Sequence, residues 1–234
     1  MALLLPFAGF CQTDEPAASA PAAAAVEKSE WLPSFTAVEI AAAADVQFVR
    51  IADSEAPKIV YDTKGSYTTK FRFEVKNHVL QISERVDARR PERTSVTVYY
   101  NTFDRLTVDD AAVTFREPVT GKTLDLTVGT RASVTATLDV KDLNMELSGR
   151  NSSVNLDGTA RYMTLYVANG KVEASGLEVM SARVNVTAGG AASIHVTERL
   201  EATTTTNGTL NYKSEPYILR GAAGFMGGDI RQSK

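Results

Sequence analysis

The chain has little cysteine, histidine or tryptophan: one cysteine, two histidines and one tryptophan in 234 residues. A single cysteine excludes an intramolecular disulfide, so the fold has to rest on packing and backbone hydrogen bonds. Because Cys11 lies near the N-terminus, ahead of the body of the chain, thiol catalysis in the body is excluded as well. His78 and His195 fall at polar positions of two separate segments without a second ligand nearby, which favours solvated surface histidines. We therefore expect no catalytic residue, metal or cofactor.

The chain also lacks a large excess of charge of either sign. The chain carries 25 Lys and Arg against 28 Asp and Glu, a net charge of -3. No long basic stripe is present, and this argues against nucleic acid as a partner. No run of 18 apolar residues occurs either, so no membrane-spanning helix is predicted.

The N-terminus differs from the rest of the chain. Residues 1–11 are an apolar stretch ending at Cys11, and residues 12–34 form an Ala- and Pro-rich segment. This pattern predicts an export signal followed by a flexible linker. It is similar to a bacterial lipoprotein signal, in which Cys11 would be the lipid attachment site, although Phe10 stands where such signals have a small residue. The alternative is an incidental thiol after an ordinary signal peptide, and both interpretations export the protein.

A repeat of 18 to 20 residues dominates the second half of the chain. Six alternating segments begin at residues 106, 124, 143, 163, 182 and 200, and most are followed by a turn containing Gly or Asn and a second short alternating segment. Alternation of period two indicates strands with one buried face. A constant period of this length is typical of a β-solenoid, whose rungs bury their apolar side chains against one another. We expect the backbone to take positive φ in these turns, near Gly129, Gly149, Asn169-Gly170, Gly189-Gly190 and Asn207-Gly208.

Strand direction does not follow from this spacing, so an antiparallel meander or β-sandwich remains the alternative. In the solenoid interpretation, residues 35–234 are a single all-β domain. Residues 35–104, which lack the repeat and hold most of the aromatics, are predicted to be antiparallel cap strands. Residues 105–220 form the solenoid rungs, and residues 221–234 form a C-terminal tail that covers an exposed sheet edge.

Two segments carry a resemblance to a known family. The opening Phe35-Thr-Ala-Val-Glu-Ile40, with Asp45-Val-Gln-Phe-Val49 soon after, and the closing rung from Leu200 to Tyr212 and Pro216, resemble the putative auto-transporter adhesin, head GIN domain family. The resemblance implies an all-β domain with a right-handed parallel β-helix (solenoid). It also implies an exported, often lipid-anchored protein of the Gram-negative cell envelope, in the periplasm or at the outer-membrane surface. The family brings no established catalytic residues.

The outward positions of the repeat are rich in Thr, Asn and Ser. Such rows can hydrogen-bond a sugar chain, and Tyr166 offers a stacking surface. The predicted ligand face comprises Asn144, Glu146, Thr164, Tyr166, Arg183 and Asn185. A simpler explanation of the rows is that Thr forms strands well and keeps an exposed sheet soluble.

Three functions remain open at this point. The first is a noncatalytic envelope protein whose solenoid surface serves adhesion or binds a ligand such as a surface polysaccharide. The second is a structural or assembly element that docks an envelope protein through a ladder edge or the cap. The third is a carbohydrate-active enzyme on a β-helix, which would need a pair of outward acids such as Asp125 and Glu146 in one column.

Overall fold

The computed structural model describes residues 27–64, 70–85, 92–223 and 226–233. Regular structure in this part of the chain is entirely β-strand. It contains no helix long and apolar enough to cross a membrane. Cys11, the predicted export signal and most of the predicted linker lie outside the described residues.

The strands are numbered in chain order. Their bounds are β1 Lys28–Trp31, β2 Ala37–Ala41, β3 Ala44–Arg50, β4 Lys58–Asp62, β5 Phe71–Lys76, β6 Val79–Glu84, β7 Thr94–Tyr100, β8 Arg105–Asp109, β9 Ala112–Phe115, β10 Val119–Val128, β11 Ser133–Leu147, β12 Ser153–Ala168, β13 Lys171–Thr187, β14 Ala191–Thr204, β15 Thr209–Tyr212, β16 Ile218–Ala223 and β17 Asp229–Gln232.

The strands stack in two parallel columns. The first column runs β6, β2, β8, β10, β11, β12, β13, β14, β16, and the second runs β7, β3, β9, β11, β12, β13, β14, β15, β17. Strands β11 to β14 serve both columns, since each turns a corner between its two halves. The predicted β-solenoid is confirmed, and the antiparallel meander is wrong.

The N-terminal layers are stacked out of chain order. Strand β2 pairs in parallel with β6 on one side and β8 on the other, and β3 lies in the same way between β7 and β9. Residues 35–104 are therefore not all antiparallel cap strands, because β2, β3, β6 and β7 belong to the solenoid. Alternation of period two is the same in parallel and antiparallel strands, so the sequence pattern could not separate the two.

Among the described residues, antiparallel pairing occurs only between β1 and β4, β4 and β7, and β5 and β6. Strands β1, β4 and β5 thus form the cap, and β1 lies inside the segment predicted as linker. Aromatic rings fill this end: Phe48, Tyr100, Phe103 and Phe115 form one cluster with centroids 4.9 to 6.3 Å apart. Large rings pack here because the layers of the repeat are lined mostly by smaller aliphatic side chains.

The core consists of ladders of aliphatic side chains. In the first column, Val108, Val128, Leu147, Val167 and Val186 are successive partners, and all are buried. The next partner in this ladder is Thr204, which is also fully buried. Each rung therefore removes its inward side chains from water only because the rungs above and below cover them.

The expected positive φ occurs in part of the turns. Asn169 (60°), Gly189 (74°) and Asn207 (60°) have it, but Gly129 and Gly149 do not, and in their turns Arg131 (52°) and Asn151 (56°) carry it. Gly149 instead allows two stacked turns to touch, since a Cβ on it would lie 2.0 Å from the carbonyl carbon and oxygen of Gly129. The glycines thus mark close approach between layers, which a turn-type argument on one rung does not reveal.

The C-terminal tail forms a further layer. Strand β16 pairs in parallel with β14, and β17 pairs with β15. The tail covers the layer before it, as expected, and does so as two regular strands whose outer edges no other described strand covers. At this open end Leu219 is 42% exposed, whereas its partner Leu200 is fully buried.

Candidate functional site

The six residues predicted as a ligand face lie together on the outer side of the first column. Asn144, Thr164 and Arg183 are successive strand partners in one row. Glu146, Tyr166 and Asn185 are successive partners in the row beside it. We refer to this two-by-three arrangement as the six-residue block.

The block faces solvent because of strict alternation along β11, β12 and β13. Its six members are exposed, while the intervening Met145, Leu165 and Val184 are buried in the core. Tyr166 is 38% exposed, so one face of its ring is open to a ligand. Neighbouring layers lie about 4.8 Å apart, and the block therefore covers three layers of a flat, ordered surface.

An arginine-rich surface continues the block toward the C-terminal end. Arg183 donates through Nε and Nη2 to Oε2 of Glu201 at 3.2 and 3.1 Å, and Arg199 donates to the other carboxylate oxygen. Hydrogen bonds from Arg199 and then Arg183 hold the pKa of the Glu201 carboxyl below its ordinary value. Arg220 also belongs to this surface, because it is the strand partner of Glu201 on the side opposite Arg183.

A shallow groove of about 400 Å³ lies here, bounded by Arg183, Asn185, Glu201, Thr203 and Arg220. Two guanidinium groups and one carboxylate line it, and Arg199 binds the same carboxylate from beside the groove. Within the described residues Arg220 makes no ion pair. The groove is therefore electropositive, and guanidinium groups are well suited to bind carboxylate or sulfate oxygens.

The opposite end of the block is acidic. Asp125 is the strand partner of Asn144 and accepts a hydrogen bond from its Nδ2 at 2.8 Å. Glu146 pairs with Thr127, in the neighbouring row. The enzyme hypothesis needs Asp125 and Glu146 in one row of strand partners, but the register sets them on a diagonal.

The histidines stand apart from this surface. His78 lies in the turn between β5 and β6 with a φ of 61°, and not on a strand as the sequence pattern suggested. His195 lies on β14 as the partner of Glu178. No group of three or more His, Cys, Asp or Glu suited to a metal ion occurs in the ranges that the structure describes.

Sequence reasoning missed three residues of the surface. Tyr162 is 46% exposed and lies four residues before Tyr166 on the same side of β12. Arg220 lines the groove, and Arg199 binds the Glu201 carboxylate beside it. Tyr162 could have been found by extending the alternation through the corner of the rung. Arg220 could not, because the last layer departs from the repeat.

The fold and this surface define the class: a β-solenoid with a polar, partly cationic outer face. The family model described as "Putative auto-transporter adhesin, head GIN domain" matches residues 34–216, and the chain belongs to this family. Membership points to an exported, cell-surface class of protein. None of the curated proteins matches the chain.

Several solved structures have a similar fold. A putative adhesin from Bacteroides fragilis is 18% identical, covers 91% of this chain and 99% of its own, and gives a TM-score of 0.81. A putative lipid binding protein from Parabacteroides distasonis is 17% identical, covers 89% and 96%, and gives 0.67. A putative adhesin from the same species is 19% identical, covers 89% and 96%, and gives 0.66. At these identities the likeness shows the fold.

Proposed function

We propose that this protein is a noncatalytic, exported cell-envelope protein that binds a surface polysaccharide through the six-residue block. The observation that carries the proposal is the register of β11, β12 and β13. It aligns an exposed tyrosine with rows of amide, hydroxyl and guanidinium groups on one flat surface. A polymer chain can lie along such a surface and repeat its contacts from layer to layer.

The preferred polymer is acidic. Arg183 and Arg220 flank Glu201 two layers apart, about 10 Å, which is a spacing that successive sugar residues of an extended chain can match. Carboxylate or sulfate groups would replace water at the guanidinium groups with paired, charge-assisted hydrogen bonds. Tyr166 would stack on a sugar ring beside the groove, one layer before Asn185.

A noncatalytic role is supported by how the acids of this face are engaged. Asp125 accepts a hydrogen bond from Asn144, and Glu201 is held by two arginines with a lowered pKa. The Glu201 carboxyl, with its lowered pKa, is a poor general acid, which the enzyme hypothesis requires.

The test is retention of the full-length protein on immobilised neutral and acidic polysaccharides. We expect saturable retention on acidic polymers that falls as salt is raised. Tyr166→Ala should weaken it by about threefold to tenfold, in line with the loss of one aromatic contact. Tyr217→Ala is the matched control, because Tyr217 is 90% exposed but lies outside the block.

Two results would count against this function. One is the absence of retention on any polymer, and the other is equal loss of retention in the Tyr166 and Tyr217 variants. Arg220→Gln separates the acidic preference from binding itself. It should reduce retention on acidic polymers and leave any retention on neutral ones unchanged.

We further propose that Cys11 carries a lipid that anchors the protein to a membrane, at the periplasmic or outer-membrane surface of a Gram-negative cell. The support is the apolar stretch before Cys11 and the Ala- and Pro-rich segment after it. Mass spectrometry of the mature N-terminus gives the answer. An unmodified cysteine, or membrane association unchanged by Cys11→Ser, would contradict the anchor.

A second candidate function is assembly with another envelope protein at the C-terminal end. The observation in its favour is the open pair of edges on β16 and β17, where Leu219 is 42% exposed. Unpaired edges with apolar side chains accept an added strand. Cross-linking in cells from a cysteine placed at Leu219 should capture such a partner. Capture only from a cysteine placed in the six-residue block, and not from position 219, would contradict this function.

A further inference from the structure

A second surface, at the capped end, combines aromatic and charged groups. Trp31, Lys58 and Tyr99 are strand partners across β1, β4 and β7, so their side chains project in one row from the same side of the sheet. Trp31 is the single tryptophan of the chain, and it is 73% exposed. Leaving so large an apolar side chain in water costs free energy that burial would recover, so its exposure indicates a surface that contacts a ligand or partner.

A concave site lies beside this row. Trp31, Ile51, Glu55, Ala56, Lys58 and Tyr99 line a cleft of about 350 Å³, which we term the aromatic cleft. This volume is at the small end of the range for ligand pockets and suits a single ring or two.

The rim of the cleft is braced by hydrogen bonds. Asn101 donates through Nδ2 to the carbonyl oxygens of Ala52 and Glu55 at 2.7 and 3.0 Å. The amide of Leu32 donates to the carbonyl of Pro57 at 2.9 Å, which ties the end of β1 to the same loop. The wall that carries Glu55 is thereby held in place before any ligand arrives.

The chemistry of the cleft is that of a donor, an acceptor and two ring faces. The Lys58 ammonium lies 4.4 Å from the Tyr99 centroid and 5.9 Å from the Trp31 centroid. Neither Lys58 nor the exposed Glu55 carboxylate makes a side-chain hydrogen bond or ion pair to any residue that the structure describes. Three hydrogens on Lys58 and two oxygens on Glu55 are therefore available to a ligand.

We propose that the aromatic cleft binds one pyranose ring of a saccharide. The apolar face of a sugar ring would stack on Trp31 and Tyr99, while its hydroxyl groups accept from Lys58 and donate to Glu55. A membrane surface fits less well, because Glu55 would repel anionic head groups and the cleft is concave. The site does not depend on the six-residue block, from which it differs in strands, residues and shape.

The lone tryptophan makes the test specific, because all indole emission of the full-length protein reports on Trp31. We would titrate glucose, galactose, N-acetylglucosamine and glucuronate, each as monosaccharide and short oligomer, and follow the Trp31 emission. We expect a saturable change with at least one sugar. Lys58→Met and Tyr99→Ala should each weaken the apparent affinity by about threefold to tenfold while retaining the reporter.

Tyr166→Ala and Arg220→Gln are the matched controls, since they disturb the six-residue block and leave the cleft intact. An unchanged titration in these variants separates this site from the polysaccharide function proposed above. Circular dichroism melts of each variant show whether a loss of signal is a loss of fold.

Three results would overturn the proposal. The first is no saturable change with any sugar up to its solubility limit. The second is a change that Lys58→Met and Tyr99→Ala leave unaltered in folded protein. The third is a change produced only by vesicles of equal parts phosphatidylethanolamine and phosphatidylglycerol, which would assign the cleft to a membrane surface.

Discussion

Replacing Thr204 by valine is expected to stabilise the protein. Thr204 occupies a ladder position that is held by Val167 and Val186 in the two preceding layers. It is fully buried, and its Oγ1 has no hydrogen-bond partner among the described residues. Valine has nearly the same shape and places a methyl group where the unsatisfied hydroxyl now lies.

The magnitude follows from the cost of a buried, unpaired polar group. Such a group costs about 1 to 3 kcal/mol, and a methyl group in its place adds favourable burial. We expect the free energy of unfolding to rise by about 1 to 2 kcal/mol. For a chain of this size, that corresponds to a rise in Tm of roughly 2 to 8 °C.

Urea and thermal unfolding of the full-length protein measure this directly. Thr203→Val is the matched control, because Thr203 precedes Thr204 on the same strand but is exposed, and its effect should stay within about 0.5 kcal/mol. Equal stability of wild type and Thr204→Val, or a less stable variant, would refute the reasoning, since it would mean that the hydroxyl is satisfied in the folded state.

Three further predictions concern the turns and two titrating groups. In a urea titration, Gly149→Ala should destabilise the protein by more than about 3 kcal/mol, because its Cβ would lie 2.0 Å from the Gly129 backbone. Gly121→Ala is the control and should be nearly neutral, because the atom nearest to its Cβ would be 3.8 Å away. Burial raises the pKa of Tyr100 to about 12. Its contribution to stability is therefore complete below pH 10 and should be lost, by about 2 to 3 kcal/mol, as the pH rises toward 12, and Tyr100→Phe should flatten this part of the stability curve. The pKa of Glu201 is lowered, so the stability that its ion pairs contribute is present above the ordinary carboxyl range and is lost as the pH falls below it. An NMR titration of Glu201 with a midpoint at or above 4.5 would contradict the geometry at Arg183.

The repeat was the most predictable part of this fold. Leu, Val and Met recur at inward positions of β10 to β13 because each layer has to match the layer below it, and this requirement leaves a period in the sequence. The six-residue block could be predicted for the same reason. Residues that alternate with a stacked core necessarily stack on the outside.

What could not be predicted depends on contacts between distant segments. The parallel pairing of β2 with β8 joins residues about 70 positions apart, and an alternating strand carries no mark of its partner. The row of Trp31, Lys58 and Tyr99 likewise draws on three strands from separate parts of the chain. No local pattern brings these three side chains together.

The insertion of β2 and β3 between later strands has a consequence for how the protein folds during synthesis. The ribosome makes β2 and β3 first, but both neighbours of each strand, β6 with β8 and β7 with β9, emerge only later. Their apolar side chains must wait for about 70 further residues, whereas each layer from β10 onward can add to the one just completed. We therefore expect the nascent chain to be most vulnerable to aggregation and proteolysis before β9 is made, and to grow from there by steady addition of layers.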